Sequence, residues 1–321
     1  MSQEGFLHIL QFDGNGGVRE LATPDKAVVD GEPPVWLHLD RRDEKARRWL
    51  EEKSGLEEIV VRALLADESR PRSLLFGKGL IVNLRAINLN PGSEPDDMIS
   101  LRLWIEEGRI ISLRTSRVFA ISDLVSDLKS RTGPRSTGEF LTELVTRVAD
   151  RMEPVLDDVE DAIEDVHESE DKAGEDQRRV LSVLRRRGMT LRRYISPQRS
   201  VLFSLQTLDV PWISKDIRLQ LREAGDRLER IVEDLDLALG QAAIAQDDIQ
   251  SYLSERLNRR MFILAIVTTI FLPLGFVTGL LGINVGGMPG ADNPLAFWLV
   301  SAILLVVAFI VLILMRFAKW F

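Results

Sequence analysis

Residues 261–284 read MFILAIVTTIFLPLGFVTGLLGIN and contain no charged side chain. The first part of this stretch, Met261 to Leu281, is long enough to cross a hydrocarbon core of roughly 30 Å as a helix. Leu295 to Met315 is a second stretch of the same length without a charge. We therefore predict two transmembrane helices, 261–281 and 295–315, joined by an extracytoplasmic loop at 282–294 and followed by a basic tail at 316–321.

Charge is distributed very unevenly between this apolar segment and the rest of the chain. Only three residues beyond residue 260 are charged: Asp292, Arg316 and Lys319. Arg259 and Arg260 stand just before the first span, whereas the loop between the spans carries no Lys or Arg. The positive-inside rule then predicts that both termini are cytoplasmic. We expect a multi-pass protein of the plasma membrane, which in a bacterium is the inner membrane.

Residues 214–260, ahead of the first span, carry an unbroken heptad pattern. Its apolar positions recur at alternating spacings of four and three residues: Ile217, Leu221, Ala224, Leu228, Ile231, Leu235, Ala238, Ala242, Ala245, Ile249 and Tyr252. Ser214 is a suitable N-cap, and no proline follows it before Pro273. We therefore predict one very long stalk helix that begins at Lys215 and runs into the first span, to about Leu280.

The first 135 residues alternate short β-prone stretches with helical ones. This alternation predicts an α+β domain, a small sheet flanked by helices. The strand candidates are Phe6–Phe12, Val18–Leu21, Val35–Leu39, Gly79–Asn88, Met98–Ile105 and Arg109–Thr115. Asp43 can cap a helix that runs to about Ser54. The N-terminus lacks the basic and apolar regions of a cleaved signal sequence, so we expect this domain to be cytoplasmic.

Residues 136–213 have a helical pattern and are sharply divided in charge. Between Asp150 and Asp176 there are 13 acidic residues against one arginine and one lysine, and seven arginines follow between Arg178 and Arg193. The change of sign near Gly174 predicts a cytoplasmic helical hairpin with an acidic tip, whose two arms set opposite charges side by side. The alternative is a solvated charged face with no binding role.

Composition excludes several classes of function. The chain has no cysteine, which removes disulfides, thiolate nucleophiles and cysteine-based metal sites. Its net charge of −8 argues against a nucleic-acid partner. No nucleotide-binding, metalloprotease or nucleophile motif is present, so we expect no enzyme. His8, His38 and His167 are expected to stand alone, each as a structural or surface residue and not as a ligand, with no tight metal site in a single chain.

Two spans cannot enclose a hydrated pore, because a wall of helices about 10 Å across needs at least four or five of them. Any pathway through the membrane therefore requires several copies of the chain. One face of the first span, the stripe, mixes small and polar residues with apolar ones: Met261, Leu264, Thr268, Leu272, Gly275 and Gly279. Gly275 and Gly279 also form a small-xxx-small pair, for which close helix packing and pore lining are equally good interpretations.

Gly282-Ile283-Asn284, which closes the first span, resembles the Gly-x-Asn signature of the CorA family of divalent cation transporters. The order of elements around it is similar to that family as well. An α/β domain and a long stalk helix come first, followed by Asn258-Arg259-Arg260-Met261 at the membrane entry and Phe271-Leu272-Pro273 within the first span. The resemblance covers essentially the whole chain.

Most family members that carry magnesium read Gly-Met-Asn where this chain has isoleucine. The loop 282–290, together with residues 68–72 and 191–199, is similar instead to the ZntB branch, which moves zinc. The resemblance implies a funnel-shaped homo-oligomer, a pentamer, whose first spans line a pore for Zn²⁺ without any cofactor. The alternatives are a magnesium, cobalt or nickel transporter of the same family and a two-span membrane-anchored signalling or adaptor protein.

The resemblance also implies roles for individual residues. A ring of Asn284 side chains, with Gly282 and Ile283, would accept hydrogen bonds from the hydration shell of a cation at the pore mouth. Asn258 and the stripe would line the pore, and Asp292 is either a cation-attracting group or a solvated loop residue. The acidic arm of the hairpin is expected to concentrate cations in the cytoplasmic funnel; its members are Asp157, Asp158, Glu160, Asp161, Glu164, Asp165 and Glu168. A co-transported proton is one source of energy for uphill movement.

Overall fold

One β-sheet organises the N-terminal part of the protein. The structure is a computed structural model that describes residues 5–24, 33–67, 70–168, 175–283, 290 and 293–317. The strands in these residues are β1 (Phe6–Phe12), β2 (Val18–Glu20), β3 (Val35–Asp40), β4 (Arg72–Phe76), β5 (Gly79–Ala86), β6 (Ile99–Glu106) and β7 (Arg109–Arg114). Their order in the sheet is β2-β1-β3-β7-β6-β5-β4. All neighbours are antiparallel except β3 and β7, which are parallel.

The described residues also form eight helices. These are α1 (Glu44–Glu52), α2 (Glu58–Leu65), α3 (Phe119–Lys129), α4 (Thr137–Asp150), α5 (Glu153–Glu168), α6 (Glu175–Thr207), α7 (Lys215–Leu281) and α8 (Ala296–Phe317). Asp43 caps α1 through its Oδ1 atom, which accepts hydrogen bonds from two backbone N–H groups. Ser136 and Ser214 cap α4 and α7 in the same way. The predicted α+β fold with a very long helix is therefore confirmed.

Each face of the sheet packs against its own set of helices. On one face, Leu37 and Ile111 lie in a buried cluster with Trp49 and Leu50 of α1 and Leu64 of α2. On the other face, the buried cluster extends from the sheet across α3 and α4 to the first part of α7. Because both faces are covered, the central strands β5 and β6 are buried along almost their whole length, including polar residues such as Asn83 and Arg102.

The heptad pattern of α7 marks a buried seam. Ten of its eleven predicted positions, from Ile217 to Ile249, are at most 7% exposed. Tyr252 is 44% exposed, so the seam ends before it and that part of the prediction is wrong. Gly188 of α6 allows close approach to the seam, since a Cβ atom there would lie 2.9 Å from a methyl group of Leu239. Burial along one stripe explains why so long a helix forms at all.

The chain separates into two compact units, Met1–Gln246 and Asp247–Phe321. The first contains the sheet, α1 to α6 and the start of α7. The second contains the remainder of α7 and α8. The residues that we predicted to line a pathway belong to the second unit.

The predicted pairing of charges within the hairpin is wrong for its described part. The ion pairs of α6 go elsewhere: Arg187 contacts Glu94 at 2.7 Å in the loop between β5 and β6. Arg192 and Arg199 contact Asp236 and Glu229 of α7, the latter at 3.0 Å. The apolar seam decides which helices are neighbours, and the arginines pair with whatever carboxylates that packing brings close.

The expectation that the histidines stand alone is also wrong for two of them. His8 and His38 are cross-strand partners in β1 and β3, with ring centroids 6.1 Å apart. The hydroxyl of Ser112 lies 2.7 Å from Nδ1 of His38 and accepts a hydrogen bond from Nε1 of Trp36. Its own hydrogen is therefore available to Nδ1. Nε2 of His38 is buried without a partner among the described residues.

We predict that acid destabilises this domain through His38. Burial, with the charges of Arg114 and His8 as lesser causes, holds the pKa of His38 well below its usual value. The unfolded chain takes up a proton near pH 6.5 and the folded one does not, so stability is complete above that pH and falls below it. The loss is up to about 1.4 kcal/mol per pH unit. The free energy of unfolding, measured with denaturant on the full chain in detergent, is expected to be lower at pH 5.5 than at pH 7.5.

In the His38→Gln variant the pH dependence is expected to shrink, because glutamine can still accept from Ser112 but does not titrate. His8 supplies a smaller residual slope, since burial lowers its pKa as well. Equal slopes in wild type and variant would contradict the assignment to His38.

Candidate functional site

Two helices of the second unit are apolar enough to cross a membrane. An 18-residue window within α7 has a mean hydropathy of 2.3, and one within α8 has 3.2. Neither window is buried inside the structure. Apolar surface of this extent is not stable in water, so lipid or further copies of the chain must cover it.

One face of each helix is partly covered within this unit. On α7 five half-buried residues recur every three or four positions, Phe262, Ile266, Ile270, Pro273 and Val277, and Ala265 and Leu274 are half-buried as well. On α8 a similar row of half-buried and buried residues extends along one face: Ala296, Val300, Leu304, Ala308, Val311 and Met315. This is the pattern of two helices packed along one face each, with the other faces left exposed.

The stripe lies on the exposed side of α7. All six of its members are exposed, with Met261 at 68% and Leu272 at 67%. Asn258 is exposed too; it lies three residues before Met261 and is turned about 60° from it around the helix. At 100° per residue the stripe points roughly opposite to the half-buried row. The structure thus brings the predicted pore-lining residues onto one surface, directed away from the face that is covered.

The chemistry of the stripe is neutral and offers few hydrogen bonds. Thr268 donates its hydroxyl hydrogen to the carbonyl oxygen of Leu264 at 2.8 Å. A Cβ atom added at Gly275 or Gly279 would meet no atom within 4 Å, so the surface beside these glycines is open. Such a surface can pack against a helix of another copy or face a hydrated ion. It has no charged side chain that could compensate an ion for the loss of its water.

The helix ends where the Gly-x-Asn signature begins. The backbone N–H of Gly282 donates to the carbonyls of Thr278 at 2.9 Å and Gly279 at 3.2 Å, and Ile283 is exposed. Asn284 and Asp292 lie outside the described residues. Asn293 caps the start of α8, with its Oδ1 atom accepting from the N–H of Leu295 at 2.9 Å.

The acidic arm forms an exposed face of α5. Its members Asp157, Asp158, Asp161, Glu164 and Asp165 are exposed, and the side chain of Glu168 lies outside the described residues. The sixth described member, Glu160, is half-buried. Its pKa is raised, first by burial and then by the neighbouring carboxylates of Asp234, Asp157 and Asp161. The face therefore carries a concentrated negative charge.

No described residues form a group of three or more His, Asp or Glu side chains that could hold a metal ion. The side chain of His167 lies outside the described residues. His8 and His38 are close together, but both are held neutral by burial and by the cationic side chains around them. That cationic surrounding also disfavours a metal ion at this histidine pair.

A sequence profile of the family described as "CorA-like Mg2+ transporter protein" matches residues 32–316. The chain belongs to the CorA family. It is 38% identical over 303 residues to the "Divalent cation transporter CmaX" of Pseudomonas aeruginosa. The aligned region covers 92% of this chain and 91% of that protein. It is 33% identical over 320 residues to the "Zinc transport protein ZntB" of Pectobacterium carotovorum, at 100% and 97% coverage.

Solved structures of CorA-type proteins share the fold. The full-length CmaX structure superposes with a TM-score of 0.87 at 37% identity, covering 100% of this chain and 99% of the other. The CorA magnesium transporter of Methanocaldococcus jannaschii superposes with a TM-score of 0.80 at 20% identity, covering 98% of this chain and 99% of the other. At that identity the likeness is evidence for a shared fold only. A CorA-family chain is a membrane transporter and not an enzyme, which decides against the signalling or adaptor alternative.

Proposed function

We propose that this CorA-family chain moves divalent cations, with Zn²⁺ as the favoured ion, through a central pore formed by five identical copies. The observation that carries the proposal is the stripe: an exposed, uncharged surface on a membrane-spanning helix, on the side opposite the one that is half-buried. Several such surfaces around one axis make a wall, which one chain with two spans cannot do. The CorA family assignment supports the same arrangement.

The transported ion is expected to keep most of its water. A dehydrated divalent ion needs several charged oxygen ligands. The stripe carries no charged side chain. A ring of Asn284 amides at the end of α7 can instead accept hydrogen bonds from the first hydration shell. Binding of that kind is weak enough to allow release on the other side.

Zinc is favoured over magnesium, cobalt and nickel by likeness to the zinc transport proteins. Zinc prefers nitrogen and sulfur ligands when it loses its water. The chain has no cysteine, so recognition of a hydrated ion is the more natural route here.

The acidic arm and Asp292 are proposed to raise the local cation concentration on the two sides of the pathway. The exposed carboxylates of α5 attract cations over roughly 8 to 10 Å in physiological salt. No nucleotide-binding motif is present, so uphill movement would draw on the membrane potential or on a coupling ion such as the proton.

Both termini are proposed to be cytoplasmic, in the inner membrane of a bacterium. A single cysteine introduced at Ala291 of this cysteine-free chain should react with an impermeant thiol reagent outside intact cells. A cysteine at Ser251 should not, although Ser251 is exposed in the structure and so is accessible to a reagent on its own side. Labelling at Ser251 without labelling at Ala291 would reverse the orientation.

Asn284→Ala is expected to reduce zinc flux at least about tenfold in proteoliposomes that contain a fluorescent zinc reporter. The variant removes a ring of acceptors, each worth on the order of 0.5 to 1.5 kcal/mol to a hydration shell. Asn293→Ala is the matched control, because it removes a nearby amide that caps α8. Both variants should keep the wild-type oligomer on size-exclusion chromatography. Wild-type flux in Asn284→Ala would remove Asn284 from the mechanism.

A further inference from the structure

Thr268 is the only member of the stripe whose side chain carries an oxygen or nitrogen atom. The other five are methionine, leucine or glycine. The preceding uncharged polar side chain of the helix is Asn258, ten residues earlier and about 15 Å away along the axis. The helix ends at Leu281, about 20 Å beyond Thr268. Thr268 thus divides an otherwise apolar surface of about 35 Å into two shorter ones.

The hydroxyl of Thr268 can act only as an acceptor toward anything beside it. Its hydrogen is committed to the carbonyl oxygen of Leu264 at 2.8 Å, one turn earlier. The lone pairs of its oxygen remain, on the exposed side of the helix. The sequence predicts the position of this residue but not the commitment of its hydrogen, which depends on the side-chain rotamer.

An acceptor discriminates between the hydration shells of cations and anions. Water around a cation points its oxygen inward, so hydrogens face outward and need acceptors. Water around an anion points one hydrogen inward and presents its lone pairs together with its other hydrogen outward, so part of that shell needs donors. A ring of hydroxyls whose hydrogens are already used therefore matches the outer surface of a hydrated cation better than that of a hydrated anion.

We propose that Thr268 is a specificity-determining residue, at which a ring of hydroxyl oxygens accepts hydrogen bonds from the hydration shell of a divalent cation part-way through the membrane. The inference rests on the proposed function, since it needs the stripes of several copies to face one pathway. It adds a second hydration-shell contact to the one proposed for Asn284. Without it, a hydrated divalent ion would cross the whole apolar surface with no exchange of hydrogen bonds.

Thr278 provides a matched control. Its hydroxyl also donates backward, to the carbonyls of Leu274 at 2.9 Å and Gly275 at 3.1 Å, and it is equally exposed. It is turned about 80° away from Thr268 around the helix, however, and lies about 40° beyond the edge of the stripe at Leu264. Replacing either threonine by valine keeps the shape and removes one oxygen.

The test is the initial rate of zinc uptake into proteoliposomes of the full-length protein, with the oligomer checked by size-exclusion chromatography. Thr268→Val is expected to be about tenfold slower than wild type, and Thr268→Ser and Thr278→Val within about twofold of it. Thr268→Ala should also be slower, although its smaller side chain widens any pore. That result separates the loss of the oxygen from a change in size.

Wild-type rates in Thr268→Val or Thr268→Ala, or an equal loss in Thr278→Val, would overturn this inference and leave the proposed function in place. A wild-type protein that moves no divalent cation would overturn the proposed function, and the role of Thr268 with it.

Discussion

The buried seam of α7 is the contact on which the rest of the structure depends. From Ile217 to Ala245 its apolar residues lie in the core of the first unit, and several belong to the same cluster as the central strands of the sheet. Burial fixes which side of the helix faces inward, and hence which side remains exposed. The same helix then continues as an apolar span to Leu281, where burial within the chain is replaced by an exposed surface. The first part of α7 is therefore stabilised by the protein core, and its last part needs lipid or other copies of the chain to cover it.

Periodic features were the most predictable part of the fold. The strands between Phe6 and Thr115, the caps at Asp43 and Ser214 and the extent of α7 follow from local pattern, because burial imposes a period of two or about 3.5 residues on the sequence. The edge strand β4 was not predicted, since its exposed residues follow Pro71 and read as a loop. The short helices α2 and α3 are also not predicted from the sequence. Neither has a side-chain cap, so no start signal marks them.

Contacts between distant residues were predicted less well. Nothing in the spacing of His8 and His38 indicates that β1 and β3 pair in that register. The charge runs of the hairpin suggested pairing between its arms, yet the arginines of α6 contact α7 and a loop of the sheet. Ion pairs at an exposed surface contribute little to stability and follow the apolar packing rather than direct it. Of the candidate site, the stripe was predicted because helical spacing alone defines a face, whereas the orientation of the Thr268 hydroxyl was not.

The central claim, that this CorA-family chain conducts hydrated divalent cations and favours zinc, is tested most directly by uptake into proteoliposomes. The purified full-length protein would be reconstituted around a fluorescent zinc reporter, and zinc, magnesium, cobalt and nickel compared with and without a pH gradient. We predict protein-dependent zinc entry that saturates with concentration and exceeds the entry of the other three ions. A rate that responds to the pH gradient would identify the proton as coupling ion. Liposomes with and without the protein that fill equally slowly with all four metals would contradict the account.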